Sequence, residues 1–249
     1  RLNEGGHLSH GHKVNFSGMF YKVIQYGLNK DGFIDFEEIE KLAKKYRPKI
    51  IVSGTTAYSR KIDFKKFGRI AKSVGAYHLA DISHIAGLVA VKIHQSSFPY
   101  ADVITTTTHK TLRGPRGAVI FSKDKEISEK INRAVFPGIQ GGPHINQIAA
   151  MGVAFEEALK PGFKNYIKQV VKNAQVFARE LKKHGFNLVS GGTDNHIILI
   201  DLKNKRISGM EAQNRLEKSG IIANRNTVPG DESQFKPSGL RLGTPAETT

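Results

Sequence analysis

The chemistry in this sequence gathers around one lysine. Lys110 stands in the run Asp102-Val-Ile-Thr-Thr-Thr-Thr-His-Lys-Thr-Leu-Arg-Gly-Pro-Arg-Gly117, where an apolar stretch passes into four threonines, then His109-Lys110, then a Gly-Pro turn. In open α/β sheets, ligands collect beyond the carboxyl ends of strands. A lysine placed there, bracketed by Arg113 and Arg116 and partly withdrawn from water, would be the easier to deprotonate, as a nucleophilic amine must be. The ordinary alternative is an exposed loop lysine.

Other groups could serve the same chemistry. In Asp81-Ile-Ser-His84 a carboxylate follows the strand that begins at Tyr77. It could hold a pyridinium N–H and so keep a cofactor ring an electron sink, or it could simply cap a loop. Arg241 lies in Ser238-Gly-Leu-Arg-Leu-Gly-Thr-Pro245. An arginine aimed into a site binds a carboxylate through two parallel hydrogen bonds, although a lone arginine is usually structural or exposed. The loop Pro137-Gly-Ile-Gln-Gly-Gly-Pro143 precedes a helix and could present N–H groups to a phosphate, or only join two elements.

Two stretches imitate metal sites. Leu2 to His12 carries three histidines, but no common zinc spacing and no cysteine. A glycine-rich loop that approaches a ligand, with one histidine stacking on it, fits at least as well. Gly27 to Glu38 imitates a calcium loop, yet its first position is a glycine without a ligand atom, and a turn into a capped helix is simpler. No metal is expected. No P-loop or dinucleotide fingerprint is present.

These residues must be held by alternating strands and helices. Lys49 to Ser53, Tyr77 to Ala80, Ala101 to Thr105 and Ala118 to Phe121 read as strands. Phe36 to Tyr46 has helical spacing behind an Asp35/Glu38 capping box. Asp63 caps a helix over Phe64 to Val74, which Gly75 stops. The pattern predicts a mostly parallel sheet covered by helices. From Ile145 two long helices follow, Ile145 to Leu159 and Phe163 to His184, broken at Pro161-Gly162. A strand over His196 to Leu202 and a helix over Ser208 to Ser219 come after them. A domain boundary is placed near Pro161.

Composition sets outer bounds. The 249 residues can bury a core, and the apolar and charged fractions are ordinary for a globular protein. The absence of cysteine excludes disulfides, thiolate metal sites and a cysteine nucleophile, and fits a cytoplasmic protein. The net charge of +16 permits a nucleic-acid partner, but the lysines are spread over helical segments, as on a solvated basic surface. No apolar run reaches membrane-spanning length and no signal peptide opens the chain. The start at Arg1, without an initiator methionine, reads as that of a fragment.

Together, and in this order, the motifs resemble the serine hydroxymethyltransferase family. The strings that carry the resemblance include Gly5-Gly-His-Leu-Ser-His-Gly11, Asp81-Ile-Ser-His-Ile-Ala-Gly-Leu-Val89, Thr105-Thr-Thr-Thr-His-Lys-Thr-Leu112, Phe136-Pro-Gly-Ile-Gln-Gly-Gly-Pro143, Ser190-Gly-Gly-Thr-Asp-Asn-His196 and Ser238-Gly-Leu-Arg-Leu-Gly-Thr-Pro-Ala246. They span essentially the whole chain.

The resemblance implies a fold-type-I pyridoxal-phosphate transferase with an α/β fold. Its mostly parallel, seven-stranded-type large-domain sheet would occupy residues 1–160, N-terminally incomplete, and part of a smaller α+β C-terminal domain residues 161–249. It implies reversible conversion of serine and tetrahydrofolate to glycine and 5,10-methylenetetrahydrofolate, in a cytoplasmic homodimer with shared active sites. By position, Lys110 is similar to the Schiff-base lysine, and His109 to the residue that tunes substrate choice. Asp81 would pair with the ring nitrogen, His84 would touch the phenolic oxygen, and His7 would stack on the ring. Thr56 and Thr107 match positions near the cofactor, and Gly141 and Gly142 a loop reaching the phosphate of a neighbouring subunit. Arg241 would clamp the substrate carboxylate. Leu2, Gly6, His7, Leu8, Ser233, Gln234 and Phe235 match folate-contacting positions.

The chain also departs from the pattern. Thr56 stands where serine is frequent, Gln234 where proline is usual, and Glu247 replaces an apolar residue. The family's tyrosine and glutamate for substrate binding and proton handling are absent. Another fold-type-I activity, such as a threonine aldolase, and a basic nucleic-acid-binding module are the competing readings.

Overall fold

The computed structural model describes residues 1–233 and 235–249. In chain order the elements are α1 (Phe16–Phe20), α2 (Phe36–Tyr46), β1 (Ile50–Ser53), α3 (Phe64–Ser73), β2 (Tyr77–Asp81), α4 (Ala86–Ala90), β3 (Val103–Thr107), β4 (Ala118–Ser122) and α5 (Lys125–Arg133). They continue with α6 (Ile145–Leu159), α7 (Pro161–Lys183), β5 (Asn187–Leu188), β6 (Ile197–Asp201), α8 (Gly209–Lys218), β7 (Asn224–Asn226) and β8 (Gly239–Gly243). The chain forms two compact units, each discontinuous: residues 1–42, 55–62 and 166–249 in one, and residues 43–54 and 63–165 in the other.

The second unit holds a four-stranded sheet in the order β1-β2-β3-β4. The first three strands run parallel and β4 is antiparallel to β3. The expected mostly parallel sheet with helices is therefore present, as four strands. Helix α3 forms because Asp63 accepts a hydrogen bond from the Lys66 N–H, and its Phe64, Phe67, Ile70 and Ala71 fall on one buried face. Phe64 and Phe67 are fully buried, and each contributes about 1.5–3 kcal/mol of apolar burial. The ring of His78 stacks on Phe67 at 5.8 Å, and its two nitrogens meet Ser53 Oγ and the Tyr100 carbonyl.

Strand β3 begins and ends two residues later than its sequence suggests. The Asp102 carboxylate accepts from the His78 N–H, and the β-branched Thr106 and Thr107 pair with Val119 and Ala118. Helix α5, capped by Asp124, and the short α4 were not anticipated. Pro161 opens α7 rather than lying in a gap, a position where its missing N–H costs nothing.

The first unit has an antiparallel sheet, β5-β6-β8-β7. Strand β6 packs Ile198 and Ile200 with Leu240, Ala212, Ala174 and Ala178 into one core cluster. Helix α7 lines it because Ile167, Val170, Val171, Ala174 and Ala178 recur every three or four residues on its buried side. Residues 55–62 are stitched into this unit. The Asn195 amide donates to the Tyr58 carbonyl, Thr193 Oγ1 to the Ser59 carbonyl, and Arg60 Nη1 pairs with Asp194 at 2.9 Å. Among the described residues, no helix is long and apolar enough to cross a membrane.

Candidate functional site

Within the second unit, Asp81 and Lys110 are joined by a chain of hydrogen bonds. Asp81 closes β2, and Thr107 closes the neighbouring parallel strand β3. Ser83 Oγ donates to Asp81 Oδ1 at 2.6 Å, and the Thr107 N–H donates to Ser83 Oγ at 3.0 Å. Lys110 Nζ donates to Thr107 Oγ1 at 3.3 Å. Asp81, Ser83, Thr107 and Lys110 are all half-buried.

The loop that carries Lys110 is held from several sides. Thr108 Oγ1 donates to the Pro115 carbonyl at 2.6 Å, and the Gly114 N–H returns to the Thr108 carbonyl. Arg113, at φ 60°, turns the chain so that its N–H reaches the Lys110 carbonyl. The buried Thr111 hydroxyl donates to the His84 carbonyl at 3.1 Å and accepts the Gly87 N–H at 3.0 Å. The segment of His84 is thereby tied to that of Lys110. His109 has its imidazole pKa lowered by burial first, then by the positive charges of Lys110 and Arg116. Its Nδ1 is buried without a hydrogen-bond partner among the described residues. Gly141 and Gly142 lie on an exposed loop before α6, with open space around both α-carbons.

The first unit contains a cavity of about 390 Å³, lined by Leu2, Gly6, His7, Leu8, Thr56 and Asn226, among others. It exists because the loop at Gly5 is clamped to the segment at Thr56. The Gly5 carbonyl accepts from the N–H groups of Thr56 and Ala57, and a β-carbon on Gly5 would stand 2.7 Å from the Ala57 oxygen. Gly5 also adopts φ 91°, where glycine carries no steric cost. Arg241 on β8 donates to the Thr56 carbonyl at 3.1 Å.

Burial lowers the pKa of Arg241 from its ordinary value. His196, buried in the same unit, is pushed down to about 4 by burial and by the Arg241 charge, so it is neutral beside that cation. Ser9 N–H, which can only donate, points at His7 Nδ1 at 3.2 Å, which leaves the proton of a neutral His7 on Nε2. Thr56 Oγ1 is buried with no partner among the described residues, a cost that a bound group could relieve.

The sequence-predicted residues thus fall into two groups. Asp81, His84, Thr107, His109 and Lys110 come together in one unit, and Leu2, Gly6, His7, Leu8, Thr56 and Arg241 in the other. Ser233 and Phe235 do not line the cavity, and Phe235 is exposed. Gln234 lies outside the described residues. Sequence reading missed Ser83, although Asp-x-Ser is the spacing of a side-chain turn, and the Ser83 N–H does return to Asp81 Oδ1 at 3.0 Å. It also missed Asn226, on a strand too short and polar to show a pattern.

An amine and a carboxylate at the carboxyl ends of adjacent parallel strands are the equipment of an α/β protein that handles a carbonyl compound at a lysine. Comparison with known proteins narrows that class. The family model described as serine hydroxymethyltransferase matches residues 1–249. The chain is 56% identical over its whole length to a serine hydroxymethyltransferase of Legionella pneumophila (strain Lens), of which it covers 60%. It is 55% identical to one of Orientia tsutsugamushi (strain Ikeda), covering 59%, and 54% identical to one of Rickettsia canadensis (strain McKiel), covering 60%. The chain belongs to the serine hydroxymethyltransferase family and spans about 60% of the length of these curated relatives. Neither a threonine aldolase nor a nucleic-acid module is favoured by these matches.

Proposed function

We propose that the whole protein is a serine hydroxymethyltransferase of fold type I, which reversibly converts serine and tetrahydrofolate to glycine and 5,10-methylenetetrahydrofolate with pyridoxal phosphate. The observation that carries this reading is the hydrogen-bond chain from Lys110 through Thr107 and Ser83 to Asp81. The donor set fits the cofactor: a primary amine for its aldehyde, a carboxylate for its ring nitrogen, and hydroxyls between them. When bound, pyridoxal phosphate supplies a ring that takes up the electron pair left at the substrate α-carbon.

The chain's own residues would do the rest. Lys110 would hold the aldehyde carbon through Nζ, with Thr107 orienting that nitrogen. Asp81 would keep a proton on the ring nitrogen, and His84 would meet the phenolic oxygen. His7 would stack on the ring, and Thr56 would offer its buried hydroxyl. His109, neutral by the direction of its pKa, would tune substrate choice beside Lys110 without adding charge. Arg241 would bind the substrate carboxylate. Leu2, Gly6, His7, Leu8, Ser233 and Phe235 would contact the folate.

Coarser features support the same reading. The parallel β1–β3 with antiparallel β4 is read as part of a seven-stranded-type sheet of a large domain over residues 1–160. The antiparallel sheet that follows α7 suits a small α+β domain over residues 161–249. A homodimer with shared sites is supported by the exposed Gly141-Gly142 loop and by exposed Ile145 and Ile148 beside it. A cytoplasmic place is the compartment this reading implies.

The test uses the full-length protein. It is loaded with pyridoxal phosphate, reduced with borohydride, and the labelled peptide is mapped, while serine turnover is followed with and without tetrahydrofolate. The expected result is a label on Lys110 and turnover that depends on folate. A label elsewhere, or turnover indifferent to folate, overturns the reading.

A further inference from the structure

We propose that Ser83 is a positioning residue of this site. Its hydroxyl ties the Asp81 carboxylate to Thr107 and so fixes the direction in which that carboxylate would face the cofactor's ring nitrogen. The inference rests on the pyridoxal-phosphate reading above.

The argument starts from the direction of three hydrogen bonds. The Thr107 N–H can only donate, and it donates to Ser83 Oγ at 3.0 Å. A hydroxyl has one proton, and that of Ser83 goes to Asp81 Oδ1 at 2.6 Å. The Ser83 N–H also donates to Oδ1, at 3.0 Å. Oδ1 therefore receives two donors from a single residue, which fixes the orientation of the carboxylate.

Strand register gives this arrangement its purpose. Asp81 faces Thr105 across the parallel pair, and the Ile82 N–H makes a backbone bond to the Thr105 carbonyl. Beyond Ile82 the chain leaves the ladder. The Ser83 side chain then supplies the next link to β3, on Thr107. Thr107 is also the residue whose hydroxyl meets Lys110 Nζ. One serine hydroxyl thus ties the carboxylate on β2 to the residue that orients the amine beyond β3. On the opposite side of β2, Gly54 lets β1 come close to Asp81, since a β-carbon there would stand 2.8 Å from the Asp81 β-carbon.

Two ligands separate positioning of the carboxylate from packing. The full-length apo-protein and its Ser83→Ala and Ser83→Thr variants are titrated with pyridoxal phosphate and with its 1-deaza analogue, in which CH replaces the ring nitrogen. Hydrogen bonds to a charged group predict that Ser83→Ala loses on the order of tenfold to a hundredfold in affinity for pyridoxal phosphate. Its affinity for the deaza analogue should stay as in the unsubstituted protein, and Ser83→Thr should restore the preference for the nitrogen-bearing ring. If Ser83→Ala does not fold, as read from the apo-protein's melting, Ser83→Cys replaces it, since a thiol of similar size donates only weakly.

Equal losses for both ligands, or no loss for either, overturn the role of Ser83 and leave the cofactor reading intact. Failure of the unsubstituted protein to take up pyridoxal phosphate overturns both.

Discussion

A β-carbon added to Gly54 would lie 2.8 Å from the β-carbon of Asp81 and 2.5 Å from its carbonyl oxygen. Gly54 also adopts φ 143°, which side-chain-bearing residues rarely adopt. Gly54→Ala should therefore destabilise the protein by more than about 1 kcal/mol and push β2 away from β1 at its carboxyl end. Urea denaturation measures the first effect, and cofactor affinity reports the second. A variant with unchanged midpoint and affinity would show that the two strands have slack there.

Asp81 itself should matter through charge. Asp81→Ala is expected to lower kcat of the full-length enzyme by on the order of a hundredfold to a thousandfold, or ~3–4 kcal/mol, as electrostatic groups of a site commonly do. Steady-state rates on cofactor-saturated protein decide it, and near-normal turnover would remove Asp81 from the chemistry.

Thr111 joins the His84 segment to the lysine loop through a buried hydroxyl. Thr111→Val keeps the shape and removes both bonds, leaving the His84 carbonyl and the Gly87 N–H without this partner. The expected loss is about 1–3 kcal/mol, together with faster escape of the cofactor on dialysis. Chemical denaturation and the residual visible absorbance are the two readouts.

Arg241→Lys keeps the charge but loses the planar fork. If Arg241 grips the substrate carboxylate, KM for serine should rise by on the order of tenfold to a hundredfold, with a smaller change in kcat, from the ~1.5–3 kcal/mol of a charge-assisted pair. Pyridoxal-phosphate affinity should be unaffected. An unchanged KM would return Arg241 to a structural role, through its bond to the Thr56 carbonyl.

His196 makes stability depend on pH. Its pKa falls from 6.5 to about 4 on folding. Above pH 6.5 the imidazole is neutral in both folded and unfolded chains, and its contribution is constant. As pH falls from 6.5 towards 4 only the unfolded chain takes up the proton, so stability is lost, and the loss levels off below about 4. The total is on the order of 3 kcal/mol. His78, also lowered by burial, adds in the same direction. Urea midpoints from pH 7 to 4 should therefore fall less steeply in His196→Gln than in the unsubstituted protein.

Much of this was legible in the sequence, for identifiable reasons. Asp35 and Asp63 announced their helices because a capping carboxylate acts within three residues. The strands around Ile51, Ala80 and Ile104 showed because buried parallel strands must be apolar. Lys110 and Asp81 stood out as chemically capable groups at strand ends. Ser83 did not, since its role depends on the register of β2 against β3, which no local pattern encodes. The Lys125–Arg133 helix was legible only faintly, since its period rests on two half-buried isoleucines, Ile127 and Ile131, in a short charged stretch. The gathering of Leu2, Thr56 and Arg241 in one unit rests on pairings across nearly the whole chain, beyond the reach of periodicity.

The discontinuous division of the chain has a consequence for the order of events during synthesis. Residues 43–54 and 63–165 contain the four described strands of the sheet that bears Asp81 and precedes Lys110. At ~5–20 residues per second, residues 166–249 leave the ribosome over roughly the following 4–17 s. The acid and the amine are therefore translated, and free to pair, before Arg241 exists. If Lys110 and Arg241 act as proposed, the amine is made before the guanidinium, and the unit that contains residues 166–249 is completed after the other.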